Sequence, residues 1–315
     1  MTNPADRESI SDASNPLGLD GIEFIEFATH QPQAFSQVLE MMGFRPVARH
    51  RSREVLLYRQ GAMNIIVNAH AGVHAQATAQ GEPSRSAAGI GIGIGAGASV
   101  GSAPQISGIA LRVRDAASAY RHALARGAWA VPLRVEVMEL NIPAVHGVGA
   151  SRIYFVDRYR DFSIYDVDFT LIPTIDPKPP ATTGLHWFGV VQYVGNERME
   201  DWTEFYAELF GFTPQPDDER HGILPKGRVL RSPCCSFYLQ LIEPEPGILD
   251  VEGDEALQRI GLGTPDVLAT VQALRARGVG FVESKGVHTE TRGALTQSYL
   301  GGAMFELVQH VQRAG

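Results

Sequence analysis

This sequence of 315 residues has few cysteines, no excess of positive charge and no long apolar run. Its two cysteines, Cys234 and Cys235, are adjacent. Adjacent cysteines rarely form a disulfide, so a reducing, cytoplasmic location is predicted. The net charge of −8 gives no electrostatic reason to bind nucleic acid or an acidic membrane surface. No apolar run reaches the roughly 20 residues that a membrane-spanning helix needs, so we expect neither nucleic acid nor a membrane as partner.

The composition is that of a globular protein, with 44% hydrophobic and 20% charged residues. A chain of this length can form two domains of ordinary size, each with its own core. Residues 1–20 begin with a polar and acidic run that is unlike a signal peptide. We expect them to form a flexible N-terminal segment.

Two segments of the chain repeat each other: DAASAYRHALARGAWAV at residues 115–131 and DVLATVQALRARGVGFV at residues 266–282. Each begins with an Asp that can cap the start of a helix and contains a Gly where that helix would end. A short apolar strand precedes each copy. A weaker pair, residues 35–47 and 205–215, also follows a strand. Alternating segments after each helix, such as VLLYRQ with MNIIVN and RIYFVD with FSIYDVDF, indicate antiparallel strands.

The repeats predict an α+β fold of four βαβββ modules, paired into two open-barrel domains with helices outside curved sheets. Paired sheets of this kind enclose a cup that can hold a ligand. The predicted modules lie near residues 21–70, 106–171, 184–243 and 257–312. The predicted divisions are an N-terminal domain at 21–172, a proline-rich linker at 173–183, and a ligand or active-site domain at 184–315.

A stretch rich in Gly, Ala and Ser, residues 81–105, interrupts the first domain. Its Gly-x-Gly repeats raise the possibility of a phosphate-binding loop, but no strand leads in, no helix leads out, and no Gly-Lys-Ser/Thr follows. An irregular surface loop is the favoured interpretation.

Six segments of the chain are distinctive: NPLGLDGIEFIEFA, VMELNIPAVHGVG, IYFVDRY, GLHWFGVVQY, LQRIGLGTPDV and AMFELVQ. Through these segments the chain resembles bacterial 4-hydroxyphenylpyruvate dioxygenases of the vicinal-oxygen-chelate (glyoxalase/bleomycin resistance-like) superfamily. This resemblance implies a largely structural first domain and a second domain in which two His and one Glu hold Fe(II) with open positions. It further implies a small aromatic or 2-oxo acid substrate, oxygenase chemistry and a homo-oligomer.

The resemblance places the metal ligands at His186 and Glu306, but Arg259 stands where the family has its second histidine. Strand alternation predicts that Phe188 and Val190 share the face of His186. A guanidinium has no free lone pair and cannot ligate a metal. Fe(II) or another divalent metal would therefore need a replacement ligand, for which His288, on a predicted neighbouring strand of the same module, is the first candidate and His221 the second. His310 lies too far from Glu306 along an extended strand, about 13 Å, to share its metal. The alternatives are a buried His186 bonded to a carbonyl and a Glu306 paired with Arg259.

Strand alternation predicts that Tyr238, Gln240 and Ile242 share one face, and that Gln297 and Tyr299 share a face of the predicted strand ALTQSYLGG. Together with the resemblance, this indicates a substrate pocket in the second domain. We expect the substrate-binding residues to be Tyr238, Gln240, Ile242, Arg259, Gln297 and Tyr299. Catalytic roles are assigned to Arg259, Gln240 and Tyr299; simple core packing is the alternative for the tyrosines. The chain ends nine residues after Glu306, where the family continues into a closing helix. A more open site is therefore expected.

Three functions remain open from the sequence. The first is a metal-dependent oxygenase with a changed ligand set. The second is a family member without oxygenase activity, which binds a small acidic ligand or performs metal-independent acid–base chemistry, with Arg259 paired to Glu306. The third is a structural or partner-binding module.

Overall fold

The computed structural model describes residues 14–69, 103–132, 140–160, 162–216, 221–224, 227–243 and 255–311. Residues 1–13 and 81–102, which include most of the predicted flexible segment and of the Gly-rich stretch, lie outside the described residues. No helix within the described ranges is long and apolar enough to cross a membrane.

The first half of the chain contains eight strands and three α-helices within these ranges. They are β1 (Ile22–Ala28), α1 (Pro32–Met41), β2 (Arg45–His50), β3 (Val55–Gln60), β4 (Met63–Asn68), β5 (Gln105–Arg112), α2 (Ala116–Ala125), β6 (Ala144–His146), β7 (Arg152–Val156), α3 (Ile164–Asp168) and β8 (Phe169–Leu171). The strands form one mixed sheet in the order β6-β7-β5-β1-β4-β3-β2-β8.

The second half repeats this plan with seven strands and two helices among the described residues. They are β9 (His186–Tyr193), α4 (Met199–Phe210), β10 (Thr213–Pro214), β11 (Arg228–Arg231), β12 (Tyr238–Ile242), β13 (Ala256–Thr264), α5 (Val267–Arg275), β14 (Gly293–Leu295) and β15 (Phe305–Gln309). The sheet order is β10-β11-β12-β9-β13-β15-β14. In both sheets the first strands of two modules, β1 with β5 and β9 with β13, pair antiparallel at the centre. The predicted α+β fold of paired modules is confirmed.

The helix signals of the repeat act as the sequence predicts. The Asp115 side chain accepts a hydrogen bond from the Ser118 backbone at the start of α2. Asp266 accepts the equivalent bond from Ala269 at the start of α5, at 2.9 Å. Gly127 and Gly278 follow these helices with φ of 89° and 95°, the left-handed region that glycine adopts without strain.

Two local predictions are wrong. The segment SIYDVDF was expected to be a strand, but Ile164–Asp168 forms the short helix α3, because Ser163 and Asp166 make a capping box at its start. Residues 14–20 do not belong to a flexible segment. Leu17 and Leu19 are buried in the main core, and the Asn15 side chain bonds to both backbone polar groups of Leu19.

The two halves share one continuous apolar core on the helix-bearing side of the sheets. Phe155 of β7 stacks on Phe210 of α4 with ring centroids 6.1 Å apart. Phe44 and Trp187 make a second contact between the halves at 6.5 Å. This core lies behind both sheets and leaves their opposite faces to form the two cups.

Candidate functional site

Alternation along β12 decides which side chains enter the cup of the second sheet. Leu239 and Leu241 point into the main core, so Tyr238, Gln240 and Ile242 take the opposite face. Gln240 is buried in spite of its polar amide. The shared face predicted for these three residues is the one observed.

A β-bulge alters the alternation in β9. Trp187 and Val190 belong to the main core, whereas the Phe188 ring packs against rings of the cup. The pairing of β9 with β13 shifts between Gly261 and Leu262. The expectation that Val190 shares a face with His186 is therefore wrong, because one extra residue inverts the side-chain parity.

His186 lies at the start of β9 with both ring nitrogens engaged. Its Nδ1 is 3.0 Å from the Gly184 carbonyl oxygen, and its Nε2 is 2.9 Å from Nδ1 of His310. A carbonyl oxygen only accepts, so Nδ1 of His186 must carry the proton. In neutral His186 the Nε2 lone pair then accepts a hydrogen bond from His310. Gly263 lies directly beneath this ring, where a β-carbon would collide with Nε2.

Arg259 and Glu306 form a buried ion pair in the same cup. Nε of Arg259 is 3.5 Å from Oε2 of Glu306, and the two side chains are 8% and 1% exposed. Within the part of the chain that the structure describes, Nε of Arg259 donates no hydrogen bond. The backbone of Gly222, which has φ of 67°, lies against the Glu306 carboxylate, so a side chain at position 222 would collide with it.

Aromatic rings line the cup next to the ion pair. Phe188 stacks on Tyr238 with centroids 4.9 Å apart and an interplanar angle of 28°. His221 lies 5.3 Å from Phe188 and His310 lies 5.4 Å from it. The site is thus enclosed by residues 221–224 and its own rings. His186, Arg259 and Glu306 are all buried, and the expectation of a more open site stays a prediction.

The remaining predicted residues lie away from this cup. The strand predicted to reach Tyr299 ends at Leu295, and Gln297 is exposed, with its backbone nitrogen 2.9 Å from the Gly280 oxygen. The Tyr299 hydroxyl accepts a 2.8 Å hydrogen bond from the Gly280 backbone. His288 was expected on a strand, but it lies in an exposed loop. The structure does not bring these three residues together with His186 and Glu306.

The side chains at the family's metal positions do not fit a three-ligand iron centre. Within the described ranges no group of three or more His, Cys, Asp or Glu side chains could hold a metal ion. Nε2 of His186 is engaged by His310, Glu306 is paired, and Arg259 brings a positive charge to the place of the cation. Sequence reasoning missed His310 as a neighbour of His186, since only the pairing of β13 with both β9 and β15 brings them together.

Hydrogen-bonded polar side chains and an apolar cluster fill the cup of the first sheet. Glu23 accepts a 2.6 Å bond from Arg112, and Glu26 accepts bonds from Tyr154 and Asn68, each 2.9 Å long. Burial, and secondarily the Glu26 carboxylate, raise the pKa of Tyr154, so its hydroxyl stays a neutral donor. A separate apolar cluster fills the rest of this cup.

The two halves of the chain match two different family models. Residues 13–100 and 94–170 match the family model described as "Hydroxyphenylpyruvate dioxygenase, HPPD, N-terminal". Residues 184–303 match the "Glyoxalase/Bleomycin resistance protein/Dioxygenase superfamily". The chain is 35% identical to Hemolysin VllY of Vibrio vulnificus (strain CMCP6) over 284 residues, which are 86% of this chain and 74% of that protein. The chain belongs to the hydroxyphenylpyruvate dioxygenase family.

Other relatives of this family member carry different names. It is 38% identical to a 4-hydroxyphenylpyruvate dioxygenase of Pseudomonas sp. (strain P.J. 874) over 200 residues, 63% of this chain and 50% of that enzyme. A solved mutant of 4-hydroxymandelate synthase from Streptomyces coelicolor aligns with a TM-score of 0.68 and 17% identity, covering 95% of each chain. That likeness shows the fold alone. The family is therefore established, and the reaction of this member is not fixed by its relatives.

Proposed function

We propose that this family member does not carry out iron-dependent oxygenation and instead binds a small aromatic or 2-oxo acid in the cup of its second sheet. Arg259 is the anchor for the ligand carboxylate. The observation that carries this proposal is the buried guanidinium beside Glu306, at the position where the family has a metal-ligating histidine.

The guanidinium has donors to offer. It presents five N–H groups in a planar fork that matches a carboxylate, and its Nε, 3.5 Å from Oε2 of Glu306, donates no hydrogen bond among the described residues. A buried donor without an acceptor costs about 1–3 kcal/mol, and a ligand carboxylate would recover that cost. The positive charge of Arg259 therefore favours an acid over a neutral analogue.

The rings of the cup fit an aromatic body. Phe188 and Tyr238 stack on each other beside the ion pair, and a cluster of rings in this arrangement favours a further flat ring that adds by offset or edge-to-face contact. Gln240 adds a buried polar group on the same face of β12. Both relatives with enzyme names, the 4-hydroxyphenylpyruvate dioxygenase and the 4-hydroxymandelate synthase, are named for aromatic acids.

The competing proposal is a metal-dependent oxygenase in which His288 completes the ligand set with His186 and Glu306. It has less support, because His288 lies in an exposed loop and Nε2 of His186 is bonded to His310. Fe(II) would have to displace His310 and Arg259 before it could bind.

Calorimetric titration of the metal-free protein with 4-hydroxyphenylpyruvate tests the proposal. We expect binding without Fe(II), and a loss of about tenfold or more in Arg259→Met, which keeps the length of the side chain without its charge. Arg292→Met is the matched control, because Arg292 is exposed in the loop before β14. Elemental analysis should find well under one metal per chain. Stoichiometric iron that is lost in Glu306→Ala would contradict the proposal and favour the metal-dependent oxygenase.

A further inference from the structure

A groove with a volume of about 820 Å³ lies in the first half of the chain, away from the cup of the second sheet. Its floor is apolar, formed by Leu56 and Val67, which belong to the helix-bearing side of β3 and β4. One wall is the first turns of α1, including Ser36. The opposite rim carries Arg49 of β2 and Arg51 beyond it. Cavities that bind small molecules typically have ~300–1,000 Å³ and combine an apolar lining with a few polar groups.

The charge of this groove is opposite to that of the whole chain. Arg49, Arg51 and Arg53 line it together, with Glu54 as the acidic residue of the lining, although the protein carries a net charge of −8. Arg49 pairs with Leu56 across β2 and β3, so its side chain takes the face of the apolar floor, and Arg51 lines the groove from the bend that follows β2. No carboxylate within the described residues forms an ion pair with Arg49 or Arg51.

We propose that this groove binds a small organic anion with two or more negative charges and an apolar portion, such as a polycarboxylate or an organic phosphate. Arginine guanidinium groups bind both kinds of oxyanion through paired N–H donors. Leu56 and Val67 accommodate the apolar portion. The amino-terminal end of α1 adds its favourable dipole on the other side of the groove. No residue of the second cup takes part, so this site does not depend on the ligand of Arg259.

Calorimetric titration of the full chain with citrate and, separately, with inorganic pyrophosphate tests the site at about 0.15 M ionic strength, where exposed charges are screened beyond ~8 Å. We expect one binding event per chain with at least one anion, and the preference between them identifies carboxylate or phosphate as the favoured group. Arg49→Gln with Arg51→Gln should weaken binding at least about tenfold. Glu54→Gln should strengthen it, because it removes the acid of the groove.

The matched control is Arg126→Gln with Arg231→Gln, which removes the same charge from exposed positions outside the groove. That pair should change affinity less than about twofold, since its screened long-range effect is small. Equal losses in both double variants would show that only net charge matters and would overturn the site. Absence of binding by both anions would overturn it as well. Circular dichroism of each variant verifies that the fold is retained.

Discussion

A single residue, Arg259, changes what the centre of the second cup can do. A histidine at this position offers a lone pair to a metal, whereas a guanidinium offers only donors. The carboxylate of Glu306 thereby becomes the partner of a fixed cation in place of a metal. Buried ion pairs of this kind add little net stability but are costly to break on one side.

Glu306→Gln alone should lower the free energy of unfolding by about 3–5 kcal/mol, because it leaves the Arg259 charge buried without its carboxylate. The double variant Arg259→Met with Glu306→Gln should recover most of that loss, since neither charge then remains. Urea denaturation measures both effects. Arg259→Met alone completes the comparison. If the stability lost in the double variant equals the sum of the losses in Arg259→Met and Glu306→Gln, the two side chains are not coupled and the ion pair does not act as described.

Gly263→Ala should disturb His186 directly, because the new methyl group would collide with its ring. We expect a loss of about 1–3 kcal/mol from overpacking, together with a rupture of the hydrogen bond to His310 that shifts the imidazole NMR signals. Gly286→Ala is the control, since a β-carbon there meets no atom within 4 Å. Unchanged imidazole signals in Gly263→Ala would contradict the packing described for His186.

At the scale of secondary structure, the repeat predicted its helices well and its strands less well. The caps at Asp115 and Asp266 are local, made within four residues, so the sequence contains all the information they need. Strand parity is different, because a bulge in β9 or the end of β14 depends on the neighbouring strands. That dependence explains why Val190 and Gln297 were placed on the wrong face or element.

Asp266→Ala should destabilise the protein by about 1 kcal/mol through loss of the α5 cap. Asp266→Asn should retain most of the stability, because an amide oxygen can accept the same bond from the Ala269 backbone. Thermal and urea unfolding of the two variants give the comparison. A loss in Asp266→Asn as large as that in Asp266→Ala would show that the carboxylate acts by charge and not as a cap.

The α2 cap predicts a pH dependence. Hydrogen bonds from the Ser118 side chain and backbone hold the pKa of Asp115 below its usual range. Because the folded pKa is lowered, this contribution to stability is present above the unfolded pKa and is lost as the pH falls through the folded one. NMR titration should give a midpoint below the reference of about 3.9, and Asp115→Asn should abolish that part of the pH dependence. A normal midpoint would contradict the cap.

For the whole molecule, the shared core predicts that the two sheets unfold together. Phe210→Ala lies in the second half, but its ring stacks on Phe155 of the first half, and both are fully buried. We expect a loss of about 3–5 kcal/mol and a single transition. Hydrogen-exchange mass spectrometry should show protection lost equally from peptides of both halves. Loss confined to residues 184–311 would show that the halves are independent.

The sequence by itself determined the family, the four modules, the helix caps and the identity of the residue that replaces a family histidine. These follow from local patterns and from side-chain chemistry that no fold can alter, such as the lack of a lone pair on Arg259. Only the tertiary structure decided the partners: His310 beside His186, Glu306 beside Arg259, and His288 outside the cup. Those contacts join distant parts of the chain through strand register and bulges, which depend on the whole sheet.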